Sequence, residues 1–144
     1  MQALGSHLLL ELKDCNTKLL NNQEKLEEIL VRAAKVAKAR VIESRFHQFA
    51  PFGISGVVVI AESHLTIHSW PEYAYAAVDI FTCGNTLQPT LAAKYLVRKL
   101  QSKNPSMNEI KRGLLSADDR KLPHKPEKGE PGPYDRPEEL QMVP

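Results

Sequence analysis

The 144-residue sequence reads as an α+β two-layer sandwich, an antiparallel sheet with two helices on one face. Three features lead there. Two stretches, starting near Asn22 and Leu91, repeat apolar residues at helical spacing. The short apolar runs between them are joined by too few residues for the crossovers of a parallel sheet. The element order is β-α-β-β and then β-β-α-β, two halves that mirror each other without a residue-level repeat, which suits helices covering one face of a sheet.

The first strand is expected over residues 7–15 (HLLLELKDC), although its apolar centre also suits a short buried helix. From Asn22 onward Leu26, Ile29, Leu30, Ala33, Ala34 and Ala37 form an apolar stripe, with charged residues on the other faces. Asn21 or Asn22 is the expected N-cap, and the glutamates of the first turns complement the helix dipole. Residues 41–49 (VIESRFHQF) predict a strand stopped by Pro51 and Gly53, and two more follow near 56–61 and 65–70, the second broken by Pro71. Residues 74–82 alternate Ala74, Ala76, Val78, Ile80 and Thr82 on one face with Tyr75, Ala77, Asp79 and Phe81 on the other. Leu91, Ala92, Tyr95, Leu96 and Leu100 mark the second helix, and residues 107–112 a last strand.

This length suits one compact domain, expected over 1–113. Residues 114–144 hold six of the ten prolines and many charges, and read as an extended or disordered tail. Nineteen basic against seventeen acidic residues leave a formal charge of +2, which argues against nucleic acid or membrane as a partner. No apolar run approaches the roughly 20 residues that span a bilayer, and no basic-then-apolar leader opens the chain, so a cytoplasmic protein is expected. Cys15 and Cys83 make no disulfide framework and read first as small core residues.

The segment AESHLTIHSWPEY, residues 61–73, carries the chemistry. A zinc site would use His64 and His68, with Cys83 as a third ligand. On a strand these histidines share a face but stand roughly 13 Å apart at about 3.3 Å per residue, too far for one metal without a bend. A Ser-His hydrolase would want a Gly-x-Ser-x-Gly elbow, and Ser63 has none. A solvent-facing hairpin is the bland reading. The remaining one is reaction of the backbone with itself. The Ser63 hydroxyl can attack the Glu62 carbonyl to make an ester if a tight turn aims it, and elimination would then leave a dehydroalanine that hydrolyses to a pyruvoyl group; the spacing permits this without demonstrating it. That needs a turn, oxyanion donors and a base, which Ser55, His68 and Cys83 on neighbouring strands could supply.

FGISGVVVIAESHLTIHSWPEYAYAAVDIFTCG, with HLLLELKDCN and SRFHQFAPFG, closely resembles the prokaryotic S-adenosylmethionine decarboxylases over roughly residues 5–113. The resemblance implies cleavage between Glu62 and Ser63 into a β chain, 1–62, and an α chain, 63–144, that begins with a pyruvoyl cofactor derived from Ser63. It implies that the pyruvoyl ketone takes S-adenosylmethionine as a Schiff base and acts as the electron sink for decarboxylation. It implies Cys83 as the acid returning a proton, His68 as the base in processing, and Ser55 as the residue steadying the processing intermediate. Phe49 resembles the aromatic that stacks adenine, Glu72 the carboxylate that holds the ribose hydroxyls, and Trp70 a lining residue or a core one. His47 matches no role. The family also implies a homodimer with sites built across its interface, so that Phe49 and Glu72 could serve different sites. The alternatives are a pyruvoyl-dependent arginine decarboxylase of the same fold and a non-enzymatic interaction module.

Overall fold

The computed structural model describes residues 3–115, so the Pro-rich tail lies almost wholly outside the described residues. Within them run β1 (Gly5–Lys13), α1 (Thr17–Leu20), α2 (Gln23–Val36), β2 (Arg40–Gln48), β3 (Ile54–Ala61), β4 (Ser63–Trp70), a 3-10 turn (Pro71–Tyr73), β5 (Tyr75–Cys83), α3 (Pro89–Lys99) and β6 (Asn104–Arg112). The strands form one six-stranded sheet in the order β2-β3-β4-β5-β1-β6, every neighbouring pair antiparallel. This is the α+β sandwich expected.

Asn22 caps α2, its side chain accepting from the Lys25 amide, and Glu24 lies in the first turn. α2 packs over β2 and β3, α3 over β5 and β1, and the helices touch each other. Leu26, Leu30, Ala33 and Ala34 of α2 and Ala92, Ala93 and Leu96 of α3 are buried against Leu8, Leu10, Leu12, Val58, Ile60, Leu65, Ile67, Val78 and Ile80. Each fully buried large aliphatic side chain contributes about 1.5–3 kcal/mol, so this single interface holds the fold. Alternation sends Ser55, Val57 and Val59, then His64, Thr66, His68 and Trp70, then Tyr75, Asp79, Phe81 and Cys83 to the opposite face. No helix covers that face among the described residues. Val59 and Trp70 on it remain 38% and 39% exposed.

Several boundaries differ from the expectation. β1 ends at Lys13 because Asp14 takes a left-handed conformation, φ 54°, which turns Cys15 out of the strand and into the core. Ala74 is also left-handed, φ 51°, so it closes the 3-10 turn rather than opening β5. β4 starts two residues earlier than expected, with Ser63 as its first residue, and β6 starts at Asn104. The four-residue α1 was not expected; it is too short to show a period and is held by Asn16, whose side chain accepts from the Lys18 and Leu19 amides.

Candidate active site

β3 and β4 form a tight hairpin in which Ile60 pairs with Ser63, leaving Ala61 and Glu62 as the turn. Across the next ladder Ser63 pairs with Thr82, which places it beside the end of β5 and Cys83. The Ser63 hydroxyl is buried and has no hydrogen-bond partner. Such an orphan typically costs about 1–3 kcal/mol, so its retention calls for a reason beyond packing. Burial pushes the Cys83 thiol above its ordinary range; the adjacent Ser63 hydroxyl pulls it part of the way back, and the Glu62 carboxylate pushes it up again. Hydroxyl and thiol are therefore neighbours, although their geometry stops short of a full hydrogen bond. The thiol stays protonated at neutral pH.

The other end of the same hairpin holds a second cluster. Ser55 and His68 are register partners, with Ser55 Oγ 2.8 Å from His68 Nδ1. They lie in a cleft of about 210 Å³ lined also by Phe49, Phe52, Gly53, Ser69, Trp70 and Glu72. A broader hollow of about 430 Å³ shares Ser55 and His68 and extends over Arg45, His47, Val57 and Thr66. The Phe49 and Phe52 rings are 49% and 44% exposed, so they are free to receive a flat ligand rather than being spent on the core. Trp70 stacks on Tyr75, centroids 5.3 Å apart, and lines the cleft as well, so its half-exposed ring belongs to this wall and not to the core. Phe49 and Glu72 line one cleft within a single chain.

Between the clusters runs a polar strip. Thr66 Oγ1 donates to Asp79 at 2.9 Å, His7 Nε2 lies 3.3 Å from Asp79, and Arg112 donates to His7 Nδ1 at 3.4 Å. Tyr75 donates to Glu11; burial, and then this bond to a carboxylate, raise its pKa to about 12.

The sequence reading put Ser55, His68 and Cys83 on neighbouring strands around Ser63. They do occupy β3, β4 and β5, but they do not converge in one chain. Ser63 and His68 are five residues apart on β4, about 16 Å at 3.3 Å per residue. Ser63, Glu62 and Cys83 cluster at one end of the hairpin, and Ser55, His68, Phe49, Trp70 and Glu72 at the other. His64 and His68 share the open face as expected of a strand, and no group of three or more His, Cys, Asp or Glu that could hold a metal ion occurs among the described residues.

A family model described as S-adenosylmethionine decarboxylase matches residues 6–113, which contain both clusters. The chain belongs to the S-adenosylmethionine decarboxylase family. A protein named S-adenosylmethionine decarboxylase proenzyme from Thermodesulfovibrio yellowstonii is 59% identical over 125 residues, 87% of this chain and 93% of that one. One of the same name from Caldicellulosiruptor saccharolyticus is 52% identical over 115 residues, 80% of this chain and 93% of the other. A crystal structure of the adenosylmethionine decarboxylase from Aquifex aeolicus superposes with a TM-score of 0.76 at 33% identity, covering 84% of this chain and all of that one.

Within this family fold the sequence reading missed three contributors. Phe52, which lines the cleft, sits between Pro51 and Gly53, the two residues read as stopping the preceding strand. His47 places its ring edge-on to Phe49, centroids 4.6 Å apart, and so fixes the aromatic beside it. Ser69 is a buried serine inside an apolar face; it donates to the Leu20 carbonyl at 2.7 Å and accepts from the Ile54 amide at 3.0 Å. An isolated polar residue at an inward position was the available signal for Ser69. His47 and Phe52 carried none.

Proposed function

We propose that this chain is the proenzyme of a pyruvoyl-dependent S-adenosylmethionine decarboxylase, active in the cytoplasm as a homodimer. It would cleave itself between Glu62 and Ser63, then release carbon dioxide from S-adenosylmethionine to leave the aminopropyl donor of spermidine synthesis. The observation that carries this reading is the buried Ser63 hydroxyl at the Glu62 turn, beside the Cys83 end of β5. The donor set fits a pyruvoyl group there, with Cys83 beside it and Glu62 just before it. Such a group supplies a ketone that joins the substrate amine and accepts the electron pair freed as carbon dioxide leaves.

In processing, Ser63 Oγ bonds to the Glu62 carbonyl carbon, and the Glu62–Ser63 amide opens to an ester and a free amine. His68 then removes the α-hydrogen of residue 63, and the Glu62 carboxylate departs as the new end of chain 1–62. The dehydroalanine left behind loses ammonia to water and becomes the pyruvoyl end of chain 63–144. Ser55, hydrogen-bonded to His68, orients the imidazole and steadies the oxyanion of the acyl shift. Cys83, kept protonated by burial, later donates to the substrate α-carbon.

One chain separates His68 from Ser63, so the reading requires a second copy. Two open faces packed with strands running oppositely bring Ser55 and His68 of one copy to Ser63 and Cys83 of the other. The exposed Val59 and Trp70 on that face favour such burial. In the cleft Phe49 would stack the adenine and Glu72 accept from the ribose hydroxyls, with Trp70 as a wall. Residues 1–113 are the decarboxylase domain in this reading. The test is to supply carboxyl-labelled S-adenosylmethionine and arginine separately to the processed protein. Labelled carbon dioxide from the first alone supports the reading; release from arginine alone replaces it with the arginine decarboxylase, and release from neither favours the interaction module.

A further inference from the structure

The loop between β2 and β3 presents Phe49 and Phe52 to the cleft, and its base is held from outside the sheet. Phe49 N–H donates to the Gly53 carbonyl at 2.8 Å, which closes the loop on itself. Gly53 has φ +105°, a conformation that L side chains rarely adopt, so the closure depends on glycine at that position. Asn21 then grips both ends. Gly53 N–H donates to Asn21 Oδ1 at 3.3 Å, and Gln48 Nε2 donates to the Asn21 carbonyl at 3.0 Å and to Oδ1 at 3.4 Å.

The residue before it fixes the opposite wall. The Leu20 carbonyl accepts from Ser69 at 2.7 Å, and Ser69 stands between His68 and Trp70 on β4. The last turn of α1 is thus a common reference for the aromatic loop and for the strand that faces it. We propose that Asn21 is a positioning residue for the cleft, setting the Phe49–Gly53 loop at the spacing an adenosyl group requires; the proposal rests on the substrate reading above. Asn21 also ends α1, but as a cap it uses its backbone N–H, which donates to the Leu19 carbonyl. Its side chain is not needed for that. In the loop contacts Asn21 acts through oxygens alone, so aspartate reproduces the side-chain acceptor and alanine removes it.

The test compares Asn21→Ala and Asn21→Asp with the parent protein. Trp70, the only tryptophan in the sequence, reports adenosine binding by its fluorescence. The Kd for adenosine and the KM for S-adenosylmethionine should rise about tenfold in Asn21→Ala, as expected for loss of a backbone-anchoring hydrogen bond. Turnover per pyruvoyl group should stay within about twofold, and Asn21→Asp should recover most of the affinity. Gln48→Ala, which removes the clamp from its other side, should raise both constants too and serves if Asn21→Ala does not fold. An unchanged Kd in Asn21→Ala, or in Gln48→Ala in its place, overturns the proposal. So does a lowered kcat with KM unchanged. Failure of the parent protein itself to bind adenosine would remove the adenosyl reading, and this proposal with it.

Discussion

Ser63 and His68 stand on the same strand, β4, at opposite ends of one hairpin. At five residues' separation, about 16 Å, no rotamer closes the gap. If His68 acts on Ser63, it does so on a neighbouring copy. Co-expression of Ser63→Ala with His68→Ala then gives mixed dimers, each with one intact site and one doubly altered site. Random pairing should restore cleavage at about a quarter of the parent level, while either variant alone gives none. No recovery in demonstrably mixed dimers refutes the shared site.

Cys83 is predicted to matter for turnover rather than for cleavage. Cys83→Ala should lower activity per pyruvoyl group about a hundredfold or more, the scale of a lost general acid. The thiol's pKa is raised above the ordinary value of 9.0 chiefly by burial. Its acid form is therefore present through neutral pH, and the alkaline limb of the parent's pH profile should lie above the ordinary thiol value of 9.0. An alkaline limb centred below that value, or normal turnover per pyruvoyl in the alanine variant, contradicts the role.

Glu72→Gln keeps shape and removes charge. Charge-assisted hydrogen bonds are worth about 1.5–3 kcal/mol, so kcat/KM for S-adenosylmethionine should drop about ten- to a hundredfold. Processing should be normal because Glu72 stands outside the acyl shift. Steady-state kinetics on fully processed protein checks both halves.

The open-face network makes a separate prediction. Tyr75, with its pKa raised from 10.0 to about 12, should be the last tyrosine to ionise in an alkaline titration followed by tyrosinate absorbance. A raised folded-state pKa means its contribution to stability is full below about pH 10 and is lost as pH rises through about 12. Glu11→Gln should lower that midpoint, and Tyr75→Phe should remove the late step.

Much of this was legible in the sequence. The Leu26–Ala37 stripe gave α2 and the 74–82 alternation gave the faces of β5, because burial on one side imposes a period. Ser63, Cys83 and the Phe49–Glu72 pair were identifiable as candidates from the motif blocks. Their division into two clusters was not legible, since a strand's length separates residues that a motif prints side by side. Nor was the clamp at Asn21. Its hydrogen bonds join residues 27 and 32 positions apart, and no local pattern reports such contacts.

Intact mass spectrometry of the purified protein, beside its Ser63→Ala variant, reads self-cleavage at Glu62–Ser63 without any assay of turnover. Two chains are expected from the parent, 1–62 and 63–144, the second carrying a pyruvoyl end in place of serine. Alanine offers no hydroxyl for the acyl shift, so the variant should remain one chain of 144 residues. An intact parent chain that nevertheless decarboxylates S-adenosylmethionine, or a variant that still divides and turns over substrate, would contradict self-cleavage through Ser63.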